Sequence, residues 1–408
     1  MHPPEFMWWN WEYVLPQLTL DHLLAIADIR ERVAYIVGRL DLFETKILRI
    51  DAVDEVPKKK ILVSTRDPGS ANALLPVIQR LTQNPELQID ILTDGRAQEV
   101  IERNFQVTNI TPSHMVLWAD MAIGVPDIIV IDRSDEKGID TYGITTFPEV
   151  PYILVEDYYS NTLIFLAEVV WRKMRLPEKI CVLDGVAKEI IVSQFPQLED
   201  RIVLTGNPWF DRFASEKAEE IQRNMRMKLW LGENDRLVSF MSAIEWIDMA
   251  KKLAETLAKQ KGSFYFVFRR HPRDNISYEV YHELFQNLWV RIIETSGYTT
   301  DEISLASDIV LTSWSTEWLN GIYRGKMTAH ITDWNYPIPE VFTLPLPPVR
   351  LWGSVEVNNI DQLDSIIPEL LDPNSELAFS VRESIRKNYP TDGNNTGRVV
   401  DIIRNYLW

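Results

Sequence analysis

The sequence predicts an α/β chain of two tandem domains, each a buried parallel sheet with helices on both faces, and three observations carry that prediction. From Lys58 onward short β-branched runs alternate with helical patterns, as successive βα units do. The series occurs twice, interrupted by turn residues at Gly206, Asn207 and Pro208. The 408 residues exceed what one hydrophobic core usually serves, and 46% hydrophobic residues can fill two.

Taken in order, residues 1–57 stand apart as an N-terminal helical extension. Trp8, Trp9 and Trp11 open it, and Leu23, Leu24, Ile26, Ile29, Val33, Ile36 and Val37 recur at amphipathic-helix spacing. Such a segment packs on the main body or on another copy of the chain, so a homo-oligomer formed through it is one expectation. Residues 58–207 form the first sheet domain, with strands at KILVS, QIDILT, DIIVID, YILVED, KICVLD and RIVLTG and helices over 71–81 and around 98–104. Residues 208–380 form the second, with a charged helix over 215–229, strands at LVSFMS, FYFVFRR, VRIIET, DIVLTS and MTAHIT, and helices over 247–259 and 316–323. Residues 381–408 are a C-terminal helix that either stays with the second domain or crosses back to the first. The five prolines of 333–352 mark the longest irregular connection.

A formal charge of −17 argues against nucleic acid or an anionic membrane surface as partner. The single cysteine, Cys181, lies in an apolar strand and reads as core, so neither a disulfide framework nor a thiolate metal cluster is expected. No signal-peptide pattern and no run of 18 apolar residues occurs, which makes a cytoplasmic protein without a membrane span the expectation. HExxH, GxSxG and the phosphate loop GxxxxGK[ST] are absent, and no two aspartates stand two apart as in a DxD metal–nucleotide clamp. No metal and no resident cofactor are therefore expected.

Ligands of open parallel sheets collect at the carboxyl ends of strands, so the residues just after each strand are the candidates. After the first strand, Arg66, Asp67, Gly69, Ser70 and Asn72 form a turn into a helix start, suited to an anion or a sugar hydroxyl, or simply a tight loop with Ser70 as helix cap. Glu156 and Asp157 end another strand; alternation lets one face a cleft as a general base, while a helix cap or a solvated pair is the plainer reading. Arg269, Arg270, His271, Pro272 and Arg273 follow a strand of the second domain and make a local cationic pocket for a phosphate, or a surface ion-pair cluster. Thr312, Ser313, Ser315 and Thr316 bring hydroxyls to a helix start, with Glu317 next to them to accept from ribose hydroxyls; capping by Ser315 or Thr316 explains part of this. Ser242 ends the first strand of the second domain and is the weakest of the set.

With those residues in view, the chain resembles the GT-B superfamily. TGNPWFD at 205–211, STRDPGSANALLPVIQRL at 64–81 and DGNNTGRVVDII at 392–403 are similar in order and spacing to segments of non-hydrolysing UDP-N-acetylglucosamine 2-epimerases. The resemblance implies two Rossmann-like domains facing a cleft. His271–Pro272 with Thr312, Ser313 and Ser315 is similar to a motif pair of bacterial sialyl- and polysialyltransferases, capsule Kdo transferases and CDP-glycerol glycerophosphotransferases. By that resemblance His271 contacts a donor phosphate and helps its departure, the hydroxyls hold the same phosphate, and Glu156 or Asp157 deprotonates the acceptor. Tyr158 stands where the sialyltransferases carry Gly, and LTSWSTEWL replaces the epimerases' TDSGGxQEE. The expectation is a metal-independent transferase with a nucleotide-activated sugar and a small-molecule or glycan acceptor as its partners. An epimerase-like isomerase and a non-catalytic binding or assembly protein are the two alternatives.

Overall fold

A computed structural model describes residues 58–93, 95–104, 110–111, 124–132, 139–157, 159–241, 247–260, 264–271, 274–286, 297–313, 317–333 and 353–408. The N-terminal extension, the VRIIET strand and the proline-rich 334–352 lie outside these residues, as do Ser242, Pro272, Arg273, Ser315 and Thr316.

In the first lobe the β-branched runs become β1 (Lys59–Thr65), β2 (Leu87–Thr93), β4 (Ile128–Ile131), β5 (Tyr152–Val155), β6 (Lys179–Val182) and β7 (Ile202–Leu204), with a two-residue edge strand β3 (Ile110–Thr111). They form one sheet in the order β3-β2-β1-β4-β5-β6-β7, every pairing parallel. Both faces are covered, as the unbroken apolar runs require. Ile61 and Val63 of β1 pack under α1 (Pro68–Leu81), whereas Leu62 points to the opposite face beneath α3 (Ile139–Thr146) and α4 (Tyr159–Trp171). Helices α2 (Gly95–Asn104) and α5 (Gly185–Gln194) complete this lobe. Cys181 is fully buried between β5 and β7, and burial pushes its thiol up to about 12.

The start of α1 differs from expectation. It begins at Pro68 rather than Ala71, because Asp67, extended at φ −102°, caps it by accepting from the Ser70 N–H at 3.0 Å. Proline suits the first helical position, where no N–H is needed. Ser70 is therefore inside the first turn and is not the cap.

The second lobe follows α6 (Glu216–Lys228) and contains β8 (Leu237–Met241), β9 (Tyr265–Arg269), β10 (Ile309–Thr312), β11 (Met327–Ile331) and β12 (Val355–Val357). Its order is β12-β11-β10-β8-β9, again parallel throughout. Around it lie α7 (Ile247–Leu257), α8 (Tyr278–Phe285), α9 (Thr300–Ala306), α10 (Glu317–Tyr323), α11 (Leu363–Leu371) and α12 (Glu376–Asn388). Phe240, Phe266, Phe268, Tyr281 and Phe285 are buried together as its aromatic core.

The last helix, α13 (Asn395–Leu407), inserts Val399, Val400, Ile403 and Leu407 among Ile61, Leu74 and Ile78 of the first lobe. Its start is tied to the interlobe turn. Both oxygens of Asp211 accept from this helix, from the N–H of Asn395 and of Thr396, each at 2.8 Å. The Asn395 side chain donates to the carbonyl of Asn207 at 3.1 Å, and Arg398 Nε donates to that of Thr205 at 2.8 Å. Gly206 adopts φ +81°, and a Cβ there would collide with Asn395 Oδ1. Two stretches some 184 residues apart thus close one knot between the lobes.

Candidate functional site

Strand order reverses between β1 and β4 in the first sheet and between β8 and β10 in the second. The carboxyl ends beside such reversals open a crevice, because the flanking helices leave on opposite faces. Residues 66–72 follow β1, Glu156 and Asp157 follow β5, Arg270 and His271 follow β9, and Ser313 follows β10.

On the first lobe the two carboxylates part company. Glu156 is buried, its Oε2 accepting from the Leu183 N–H at 3.4 Å. Burial, reinforced by the Asp184 carboxylate, pushes its pKa well above the usual 4.5. Asp157 is half-buried and comes out toward the β1–α1 turn: a Cβ on Gly69 would lie 2.6 Å from its Oδ2 and 3.1 Å from Asp67 Oδ1. Its backbone carbonyl accepts from Asn207 Nδ2 of the interlobe turn at 3.3 Å. The structure therefore brings Asp157, Gly69, Asp67 and Asn207 together, with Arg66 and Asn72 at the same turn, and keeps Glu156 behind them.

A pH test follows for Glu156. Burial resists ionisation of this carboxyl in the folded chain while the unfolded chain ionises it near 4.5, so its contribution to stability is greatest below that pH and is lost as pH rises toward the folded value. Glu156→Gln keeps an acceptor for Leu183 and removes the charge. The variant is expected to melt higher than the parent at pH 8 and to converge with it near pH 4, in thermal scans across that range; parallel profiles would contradict the assignment.

On the second lobe Arg269 Nη1 donates to the Tyr298 carbonyl at 2.7 Å, and Arg270 Nη1 to that of Ile276 at 2.6 Å. Arg270 thus braces its own turn. The turn is closed by the Asp274 N–H donating to the His271 carbonyl at 3.0 Å and leaves His271 half-buried. Asp274 in turn accepts from the Tyr281 hydroxyl at 2.7 Å.

The two described hydroxyls at the end of β10, those of Thr312 and Ser313, do not point outward. Ser313 Oγ donates to the Ile331 carbonyl at 3.0 Å, and Thr312 Oγ1 lies 3.2 Å from His330 Nδ1, both toward β11. Burial lowers the His330 pKa to about 4, so this pair is neutral. Glu317 is also engaged: Oε2 accepts from Arg324 at 2.7 Å and Oε1 from Asn320 at 2.7 Å.

Arg324 is a residue that the sequence reading missed. Its side chain is 0% exposed, bonded to Glu317, to Ser304 Oγ at 2.9 Å and to Asp301, and it lies 4.4 Å from the centre of the Phe213 ring. Asp301 also pairs with Arg212 at 2.9 Å, and Arg212 covers Trp209 at 4.0 Å. This ion network carries α9 and α10 onto the short helix Pro208–Phe213 of the interlobe turn. Beside it the Tyr323 hydroxyl donates to the Leu183 carbonyl at 2.7 Å, joining α10 to the segment that holds Glu156. The one available signal was spacing, since Glu317 and Arg324 stand seven apart on one helical face.

Among the described residues there is no cluster of His, Cys, Asp and Glu suited to a metal ion, and no helix long and apolar enough to cross a membrane. No protein-family model matches the sequence, and no curated protein does. Solved structures do. A UDP-GlcNAc 2-epimerase from Neisseria meningitidis, bound to UDP-GlcNAc, aligns at 15% identity and a TM-score of 0.61 over 85% of this chain and 100% of its own. A glycosyltransferase from Rickettsia africae aligns at 17% and 0.53 over 86% and 99%. The wall teichoic acid polymerase TagF soaked with CDPG aligns at 14% and 0.51 over 92% and 98%. At these identities the likeness speaks for architecture, and with the two parallel sheets it shows that the chain has the GT-B fold.

Proposed function

We propose that the chain is a metal-independent glycosyltransferase, or a related transferase, using a nucleotide-activated sugar held mainly by the second lobe. The observation that supports this reading is the presence of a carboxylate and an imidazole at the carboxyl ends of the two sheets, Asp157 after β5 and His271 after β9, with the Asp157 carbonyl bonded to the interlobe turn through Asn207. His271, held by the Arg270-braced turn, contacts the donor phosphate and protonates it as it leaves. Arg273, Ser242, Ser315 and Thr316 complete the proposed phosphate site, with Thr312 and Ser313 shaping the strand end. Asp157 takes the proton of the acceptor hydroxyl. Glu317 acts through Arg324 as a brace of this wall. Structures with this fold that hold UDP-GlcNAc or CDPG support the donor class.

Calorimetric titration with CMP, CDP, UDP and GDP tests the reading. At least one is expected to bind, and His271→Ala is expected to weaken it about tenfold, the loss of one charge-assisted hydrogen bond. Silence from all four at millimolar concentration would remove the proposal. The likeness to epimerases favours a second reading, isomerisation; exchange of the C2 proton of UDP-GlcNAc in deuterated water would establish it.

A further inference from the structure

Helix α4 is apolar on nearly every side. From Thr162 to Trp171 its only charged residue is Glu168. Phe165, Leu166 and Val169 are buried in the core that holds Leu62 of β1. Successive residues turn by about 100°, so Ile164, Ala167 and Trp171 form a stripe on the opposite side, with Val170 at its flank. That stripe is open: Ile164 is 47%, Val170 42% and Trp171 80% exposed, and Ala167 is exposed as well. A helix apolar all round ordinarily lies between two packed layers, and the described residues supply only the inner one.

The chain carries a cover of matching length. Ile26, Ile29, Val33, Ile36, Val37 and Leu40 recur on one face of a helical repeat, with Asp28, Glu31, Arg32 and Arg39 on the other. As a helix, the run from Ile26 to Leu40 rises about 21 Å, and α4 about 20 Å. The tether also reaches. Lys58 precedes β1 and Trp171 precedes β6 in a wholly parallel sheet, so both stand at its amino edge, as does the exposed Val125 ahead of β4 between them. Three strand spacings, about 15 Å, separate β1 from β6, and the chain between Leu40 and Lys58 can extend to roughly 60 Å. Such a tether holds the segment at roughly millimolar effective concentration beside its own α4, which favours its own chain over a second copy. We infer that residues 20–48 dock their apolar stripe on the outer face of α4 in the same chain, as a further helical layer over the first lobe. The transferase reading plays no part in this.

The test uses the full chain with Ala167→Cys, labelled with a benzophenone maleimide; the native thiol, Cys181, is fully buried and does not compete. Irradiation and peptide mapping are expected to join position 167 to residues 20–48 in species of monomer mass, in a yield unchanged by dilution. Cross-links between two copies, or none to residues 20–48, would overturn the inference. A second measurement needs no label. Ile164→Asp sets a charge against the apolar stripe and is expected to raise tryptic cleavage after Arg30, Arg32 and Arg39 about tenfold, because cleavage follows the population of the undocked segment. Val280→Asp, at an exposed apolar position of α8 in the second lobe, is expected to leave that cleavage unchanged. Equal acceleration by both variants, or by neither, would overturn the inference too.

Discussion

Arg324→Ala is expected to cost the fold about 3–5 kcal/mol, the usual penalty for breaking a buried ion pair from one side. The guanidinium is wholly enclosed, and its removal takes from Glu317, 15% exposed, the cation that its Oε2 meets at 2.7 Å. Asp301 keeps Arg212 at 2.9 Å, so the loss falls chiefly on Glu317. The double variant Arg324→Met with Glu317→Gln, which deletes the stranded charge and refills the space, is expected to recover at least about half of it, because uncharged replacements of a buried pair are often near neutral. Chemical denaturation of the two variants measures both quantities. Additive losses, with the double variant worse than the single, would show that Arg324 acts through packing against Phe213 alone.

Gly206→Ala is expected to lower the melting temperature by about 2–5 °C, from roughly 2–4 kcal/mol of combined strain and crowding. At φ +81° any side chain is disfavoured, and the new methyl would collide with Asn395 Oδ1 and with Pro390 Cγ at 2.7 Å. Gly325 supplies the control. It has φ +69° with open space around its missing side chain, so Gly325→Ala bears only the conformational part, about 1–2 kcal/mol. Similar melting shifts for both would mean that the interlobe knot yields easily.

Much of the architecture could be read from patterning, because buried parallel strands are written as continuous apolar runs. The strands that escaped were β3 and β12, two and three residues long, too short to show a period. The first turn of α1 was misplaced for a local reason: a carboxylate at position 67 outcompeted the hydroxyl at position 70 as cap.

The candidate site was legible as a set of strand ends, and alternation rightly separated Glu156 from Asp157. Where each polar group points was not, since that depends on partners distant in the chain. Ser313 meets the carbonyl of Ile331, and Asp157 meets an asparagine 50 positions on.

The return of α13 into the first lobe has a consequence for how the molecule is made. A ribosome delivers residues 58–204 long before 395–407, so the nascent first sheet emerges with Ile61, Leu74 and Ile78 still lacking the side chains that will seal them. Synthesis of the first lobe cannot finish that half on its own; it waits for the turns of α13 to thread home. Removing α13 would therefore wound the half that was translated first.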